Sequence, residues 1–113
     1  MIGHSKYSGR IAIVGLKGRL TGGPALSQLK PGIDAIVSAK SSTGLVLDLD
    51  QVPYIDSMGL GELVWIHTSA VRRGISMALV NVNIPIREAF AMTRLDEFFT
   101  ICPDETSALQ RLA

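Results

Sequence analysis

Between residues 52 and 61 the chain changes from the pattern of a buried strand to the pattern of a surface helix. Residues 44–49 form an almost unbroken apolar run, which is typical of a strand covered on both faces. Residues 60–73 carry apolar side chains at helical spacing, and Gly74 follows as a suitable C-terminal cap. We therefore predict that a strand ends, the chain turns, and a helix begins at Asp56-Ser57. Such a junction is typical of folds in which strands and helices alternate.

The same alternation extends over the rest of the chain. Apolar and β-branched runs predict strands near residues 5–7 and at 10–16, 44–50, 75–81 and 98–101. Helical spacing predicts helices at 25–40, 60–73, 85–94 and from 103 onward, with Pro31-Gly32 kinking or dividing the first. These elements indicate a single α/β domain over residues 1–113. We expect a mixed, mainly parallel sheet of four to five strands, covered by about four helices.

Composition argues against several classes of protein. A hydrophobic fraction of 47% favours a packed core, and a net charge of +1 without basic clusters argues against nucleic-acid binding. The single cysteine, Cys102, excludes an intrachain disulfide and a thiolate metal cluster. No apolar run is long enough to span a membrane, and the N-terminus lacks an apolar signal region. We expect a cytoplasmic protein, a monomer or weak dimer, with no cofactor.

The helix after the junction has two distinct faces. A rotation of about 100° per residue directs one apolar stripe towards the sheet, formed by Leu60, Leu63, Val64, His67 and Val71. The opposite side carries Met58, Gly61, Glu62, Trp65, Ser69 and Arg72. Methionine and tryptophan are favoured at protein interfaces. Trp65 therefore indicates either a partner-binding surface or, with equal weight, packing against a neighbouring helix of the same domain.

Ser57 has two interpretations on local sequence. Serine and aspartate are favoured helix caps, so Asp56-Ser57 is consistent with simple capping. A helix N-terminus also stabilises anions, so a phosphate on Ser57 would be tolerated by the fold while changing the charge shown to a partner. Catalysis is disfavoured, because His67 would lie about 15 Å along the helix and no Gly-x-Ser-x-Gly motif is present. A metal site from Asp48, Asp50 and Asp56 is a minor alternative.

The junction also resembles a known signature. Residues 56–61, Asp-Ser-Met-Gly-Leu-Gly, preceded by Leu47-Asp48-Leu49 and Tyr54-Ile55, resemble the signature of STAS domains. Within that family the pattern is most similar to the single-domain anti-sigma factor antagonists of bacteria. The resemblance continues through Arg73-Gly74 and Ile84-Pro85 to residues 89–95, and it is good from 44 to 112. It implies the STAS fold and a protein-binding module that is not an enzyme.

The resemblance also implies roles for the residues of the turn. In the family, the serine after the aspartate is phosphorylated by a partner that is both an anti-sigma factor and an ATP-dependent serine kinase. The unphosphorylated antagonist binds that partner and frees a sigma factor, and a metal-dependent serine phosphatase resets it. Carried over, Ser57 is the phosphoacceptor and Asp56 helps to shape the site. Gly59 either lets the kinase approach the backbone or lets the turn form.

Two departures from the family pattern concern the partner. Met58 stands where many relatives carry a second hydroxyl, which leaves Ser57 as the only hydroxyl in the motif. The turn that contributes to partner contact in relatives matches residues 18–23, including Thr21 and Gly22, and the helix after it is interrupted by Pro31-Gly32. The resemblance leaves a second function open. The chain would then be a constitutive accessory subunit of a lipid-transport ATPase or of a stress-sensing complex.

Overall fold

The computed structural model describes residues 1–113 as five strands and six helices. The strands are β1 (Ile2–Ser8), β2 (Ile11–Lys17), β3 (Gly44–Gln51), β4 (Ser76–Val80) and β5 (Ile101–Cys102). The helices are α1 (Pro24–Ser27), α2 (Leu29–Ala39), α3 (Ser57–Arg72), α4 (Ile84–Met92), α5 (Leu95–Phe98) and α6 (Glu105–Leu112). None of these helices combines the length and the apolar character needed to cross a membrane.

The five strands form one sheet in the order β1-β2-β3-β4-β5. β1 pairs antiparallel with β2 across a tight turn in which Gly9 has a φ of 58°, a conformation that suits glycine. Every later pair is parallel, as expected where a helix lies in each connection. The prediction of a mixed, mainly parallel α/β sheet is confirmed. The carboxyl ends of β2 and β3 consequently meet at one edge of the sheet, where the candidate site forms.

The helices cover the two faces of the sheet unequally. α2, α3 and α4 pack on one face, in a core that includes Leu47 and the fully buried Phe90. α6 alone covers the other face, where Ala108 packs against Val46. Burial of such side chains stabilises the fold by about 25 cal/mol per Å² of apolar surface. Most of the core therefore lies on the face that carries α3.

α3 is turned about its axis relative to the prediction. Its buried residues are Gly59, Leu63, Ile66 and Ala70, whereas Val71, which was expected against the sheet, is 58% exposed. The difference is roughly a quarter turn of the helix. Gly59 accounts for it, because only a residue without a side chain lets this face of α3 approach the Leu20 carbonyl oxygen closely. Val71 consequently faces outward.

The first predicted helix is divided, but not at Pro31-Gly32. α1 ends at Ser27 and α2 begins at Leu29, so Pro31 lies in the first turn of α2. In a continuous helix, a proline ring clashes with the carbonyl four residues earlier, which here belongs to Ser27. The division therefore falls one turn before the proline, where the clash would occur.

The prediction of a strand at 98–101 is wrong before residue 101. Residues 95–98 form the single helical turn α5, and β5 is shifted to Ile101–Cys102. Arg94 ends the preceding helical segment in a left-handed conformation with φ 60°. Asp96 and Glu97 then favour a new helix N-terminus. β5 is consequently short and pairs with only the last two residues of β4.

Candidate functional site

Two loops meet beyond the carboxyl ends of β2 and β3. Leu20 forms an isolated parallel bridge with Ile55. The Leu20 N–H donates to the Tyr54 carbonyl (3.0 Å), and the Asp56 N–H donates to the Leu20 carbonyl (3.1 Å). The side chains of Leu20 and Ile55 are buried. The loop before α1 is therefore fixed against the turn that starts α3.

Asp56 caps α3 and also holds the neighbouring loop. Its Oδ1 accepts a hydrogen bond from the Gly59 N–H (2.8 Å), and its Oδ2 accepts one from the Gly22 N–H (3.0 Å). These backbone donors, Gly59 first, lower the pKa of Asp56 below its ordinary value of 3.8. Asp56 is thus a carboxylate at neutral pH, and its two oxygens join the turn to the loop.

Ser57 is the first residue of α3, and its side chain is exposed. The capping position belongs to Asp56, which accepts the N–H that a serine cap would otherwise bind. The hydrogen bonds of the turn leave the Ser57 hydroxyl unused. The hydroxyl is therefore exposed and makes no hydrogen bond within the domain. Asp56 already places a negative charge at the helix N-terminus. A phosphate on Ser57 would therefore be stabilised less than at a helix N-terminus without another anion.

Gly59 is required by packing inside the domain. A methyl group at this position would collide with the Leu20 carbonyl oxygen and would lie 2.8 Å from Ile55 Cγ1. Gly59 is also buried, so it presents no surface to a partner. Of the two roles anticipated for this glycine, the geometry therefore favours formation of the turn.

Large apolar side chains are exposed on both sides of Ser57 in the sequence, from Tyr54 before it to Trp65 two turns along α3. Met58 is 62% exposed, Trp65 is 51% exposed, and Tyr54, in the loop before α3, is half-exposed. Lys30 Nζ lies 5.4 Å from the centre of the Trp65 ring, and Arg19 Cζ lies 5.8 Å from that of Tyr54. Trp65 therefore contacts α2 and still offers half of its surface, which fits both interpretations of this residue. We call the following set the Ser57 face: Tyr54, Ser57, Met58 and Trp65.

Thr21 and Gly22 lie beside this face. Thr21 is half-buried and Gly22 is exposed. A Cβ on Gly22 would be only 3.1 Å from Met58 Cγ and 4.0 Å from Asp56 Oδ2. The structure thus brings the predicted turn at 18–23 to the start of α3, as a partner contact would require.

The other residues predicted to bind a partner are spread along α3. Gly61 is exposed and Glu62 half-buried, and both lie within about 8 Å of Ser57 along the helix axis. Ser69 is half-buried and Arg72 exposed, about 18 and 22 Å from Ser57 along the same axis. The structure therefore groups Gly61 and Glu62 with Ser57 but leaves Ser69 and Arg72 at the far end.

His67 is not positioned to activate Ser57. It lies about 15 Å away along α3, and its ring packs against Phe98 (4.6 Å between ring centres) and Phe99 (5.7 Å). Burial lowers the pKa of His67 below 6.5, so the ring is neutral at pH 7. Its Nδ1 is buried without a hydrogen-bond partner. The sequence predicts a core or boundary histidine with its polar atoms satisfied; the structure places His67 half-buried at the boundary, and no group of the domain satisfies Nδ1.

The carboxylates considered for a metal site are engaged in other contacts. Asp48 Oδ1 accepts from the Asp50 N–H (2.9 Å) and from the side-chain amide of Asn81 (3.0 Å). Asp56 is occupied as the cap of α3. No group of three or more His, Cys, Asp or Glu side chains in the structure is arranged to hold a metal ion.

Asn83 is a residue of the site that the local sequence does not reveal. Its amide donates to the carbonyls of Val52 (3.0 Å) and Pro53 (3.4 Å), so it holds the loop that leads to Ser57. Its carbonyl oxygen accepts from the Ile86 N–H (2.9 Å) and caps α4. An asparagine just before Ile84-Pro85 is a recognisable cap signal. The residues next to Asn83 in the sequence, however, do not indicate that its side chain contacts this loop.

A family model for the STAS domain matches residues 6–108. The chain belongs to the STAS domain family. This STAS domain is 28% identical over 80 residues to an anti-sigma F factor antagonist of Paenibacillus polymyxa, and the match covers 71% of the chain and 68% of that relative. The family predicted from the signature at residues 56–61 is therefore confirmed.

Solved structures share the fold of this STAS domain. A Thermotoga maritima protein described as an anti-sigma factor antagonist matches with a TM-score of 0.87 at 24% identity, over 96% of this chain and 92% of its own. The phosphorylated form of the Bacillus protein SpoIIAA matches with a TM-score of 0.71 at 17% identity, over 97% and 98% of the two chains. Identities this low establish the fold, and function has to be argued from the site.

Proposed function

We propose that this STAS domain is an anti-sigma factor antagonist that is switched off by phosphorylation of Ser57. In its unphosphorylated form it binds an anti-sigma factor that is also a serine kinase, and the sigma factor held by that partner is released. One observation carries the proposal: Asp56 caps α3 and leaves the exposed Ser57 hydroxyl free. The relationship to an anti-sigma F factor antagonist supports the same function.

The modification required of Ser57 is phosphoryl transfer from ATP. Its oxygen forms a bond to the γ-phosphorus while the bond from that phosphorus to ADP breaks, and the hydroxyl proton passes to a base of the kinase. The domain supplies only the acceptor, because His67 is too distant to act as the base. A metal-dependent serine phosphatase returns Ser57 to its free hydroxyl by hydrolysis.

A phosphate on Ser57 would alter the partner surface more than the fold. It adds about −1.5 to −2 charges at neutral pH, next to the ionised Asp56 and the exposed Met58. A partner that covers Met58 and Trp65 would have to bury this charge or meet it with a cation. Ser57 is exposed and bears no internal contact that the phosphate would break. The solved phosphorylated form of SpoIIAA, which has the same fold, supports this view.

The proposal also implies where the protein acts. Sigma factors and ATP-dependent kinases of this kind act in the cytoplasm, so we propose that the antagonist does so as a monomer or weak dimer. The residues proposed to touch the anti-sigma factor are those grouped around Ser57, with Thr21 and Gly22 on one side and Trp65 on the other.

Phosphorylation and binding can be tested with an anti-sigma factor kinase from the source genome. After incubation with ATP, mass spectrometry should place one phosphate on Ser57. Ser57→Ala should accept none and still bind, and Ser57→Glu should bind the kinase about tenfold more weakly. Ser8→Glu, which changes an exposed serine at the end of β1, is the matched control and should bind normally.

Two results would count against the proposed switch. One is phosphate on a different residue, and the other is unchanged binding by Ser57→Glu. Capture of a lipid-transport ATPase or a stress-sensing complex, with equal affinity for wild type and both Ser57 variants, would instead establish the constitutive accessory role.

A further inference from the structure

The sheet has an incomplete edge beside β4. β5 pairs with β4 only through Leu79 with Ile101 and Val80 with Cys102. The first three residues of β4, 76–78, pair with β3 on one side and have no strand of this chain on the other. The chain reaches β5 from α5, which is helical where a longer β5 would lie. Three of the five residues of β4 therefore have no strand beside them on this side.

The backbone of Met77 is directed to this open edge. The Ser76 N–H donates to the Thr43 carbonyl beside β3 (3.1 Å), and the Leu79 N–H donates to the Thr100 carbonyl on the opposite side (2.9 Å). Successive residues of a strand in a parallel ladder direct their N–H and C=O groups to alternate sides. Met77 therefore directs its N–H and C=O to the same side of β4 as Leu79. Beside Leu79 that side is occupied by β5, whereas beside Met77 it has no strand.

A cavity of about 460 Å³ lies against this edge. α3 forms one wall and the end of α6 forms the other, so the edge is recessed between the two faces of the sheet. We call this cavity the edge notch, and the residues that define it are His67, Val71, Met77, Thr100, Arg111 and Leu112. The cavity lies beside residues 74–77, so a segment bound in it would lie against the start of β4.

The side chains of the notch indicate the chemistry of its occupant. Val71 is exposed although it is apolar, and Phe98, which packs on the notch residue His67, is 43% exposed. Arg111 is exposed and takes part in none of the three salt bridges of the structure. The notch therefore combines an apolar wall, an unpaired cation and unpaired backbone groups. An extended segment that alternates apolar and acidic residues would complement all three.

We propose that the edge notch binds an extended acidic and apolar segment of a partner protein, which adds to the sheet as a strand beside residues 76–78. Addition of a strand to an open edge draws affinity from main-chain hydrogen bonds and specificity from alternate side chains. Here the Met77 N–H and C=O supply the main-chain bonds. Arg111 pairs with a carboxylate, and Val71 packs against an apolar side chain of the segment.

Titration of the full domain with synthetic peptides tests this proposal. The probe is an acetylated hexapeptide of alternating valine and glutamate, observed by amide NMR and hydrogen exchange. We expect shifts at Met77, Thr100 and Val71, and slower exchange of the Met77 amide when the peptide is bound. The same peptide with methylated backbone nitrogens should bind about tenfold more weakly, because it lacks the donors of a β ladder.

Two variants distinguish a specific ion pair with Arg111 from non-specific attraction between the domain and the acidic peptide. Arg111→Glu should weaken binding of the acidic peptide about fivefold. Lys17→Glu makes the same charge change at an exposed residue at the carboxyl end of β2, and it should bind like the wild type. Absence of binding at millimolar peptide, equal binding of the methylated peptide, or shifts confined to the Ser57 face would each overturn the proposal. Both variants alter exposed side chains, so folding is preserved.

Discussion

Gly59 and Gly61 form a matched pair for substitution, because they lie two residues apart on α3. A Cβ at Gly59 would collide with the Leu20 carbonyl oxygen, whereas a Cβ at Gly61 would meet no atom within 4 Å. We expect Gly59→Ala to destabilise the domain and Gly61→Ala to stabilise it. The comparison isolates the close approach of Leu20 from the general effect of removing a helical glycine.

Two opposing terms set the free energies of unfolding. Replacing glycine by alanine within a helix stabilises by about 0.8 kcal/mol, and at Gly61 no contact opposes this gain. At Gly59 the obstacle is a backbone carbonyl, so the loop or the helix has to move, at an overpacking cost of about 1–3 kcal/mol. We expect a net loss of roughly 0.2–2 kcal/mol for Gly59→Ala, and a difference of about 1–3 kcal/mol between the variants, since both share the gain from replacing glycine.

Urea unfolding followed by circular dichroism measures both free energies. In thermal unfolding followed by the same signal, Gly61→Ala should raise the melting temperature by roughly 3–6 °C, and Gly59→Ala should lower it. Equal stability of the two variants would refute the reasoning. It would mean that the contact between Leu20 and α3 imposes no constraint on the turn that carries Ser57.

Two further predictions concern the same region. The pKa of Asp56 is lowered on folding, so its stabilising contribution is complete above its ordinary pKa of 3.8 and is lost as the pH falls through the lower folded value. Asp56→Asn should therefore lose less stability than the wild type in acid titrations of the unfolding free energy, and parallel curves would contradict this. Trp65→Ala should weaken binding of the anti-sigma factor kinase by about 2 kcal/mol, roughly 30-fold, in calorimetric titrations. Met92→Ala changes another exposed apolar residue and should bind normally, and equal affinity of both variants would remove Trp65 from the interface.

The order of the elements was predictable because it depends on spacing within short segments. The apolar run at 44–49 and the helical repeat after it locate β3 and α3 closely. The rotation of α3 was not predictable, since it depends on a contact between Gly59 and the distant Leu20 carbonyl. Val64, His67 and Val71 form an apolar stripe as regular as the one that is buried, so periodicity alone selects the wrong face.

The site was predictable to the same extent. Asp56, Ser57 and Met58 are contiguous, and their motif places them at one turn. The bond from Gly22 to Asp56 and the bond from Asn83 to Val52 join segments far apart in the sequence. No local pattern encodes such bonds, because each donor and acceptor is common in loops and only the fold brings them together.

The length of α3 sets the distance between the two surfaces proposed to bind partners. The helix has 16 residues, which corresponds to about 24 Å, with Ser57 as its first residue and the notch residue Val71 in its last turn. A contact at Ser57 and a contact at Val71 are about 21 Å apart along the axis, so their binding free energies should add. A single protein that carries both contacts at this spacing would make the second one intramolecularly and gain avidity from it. The domain would then select its partners by the distance between their two contacts, which is about the length of α3, as well as by their chemistry.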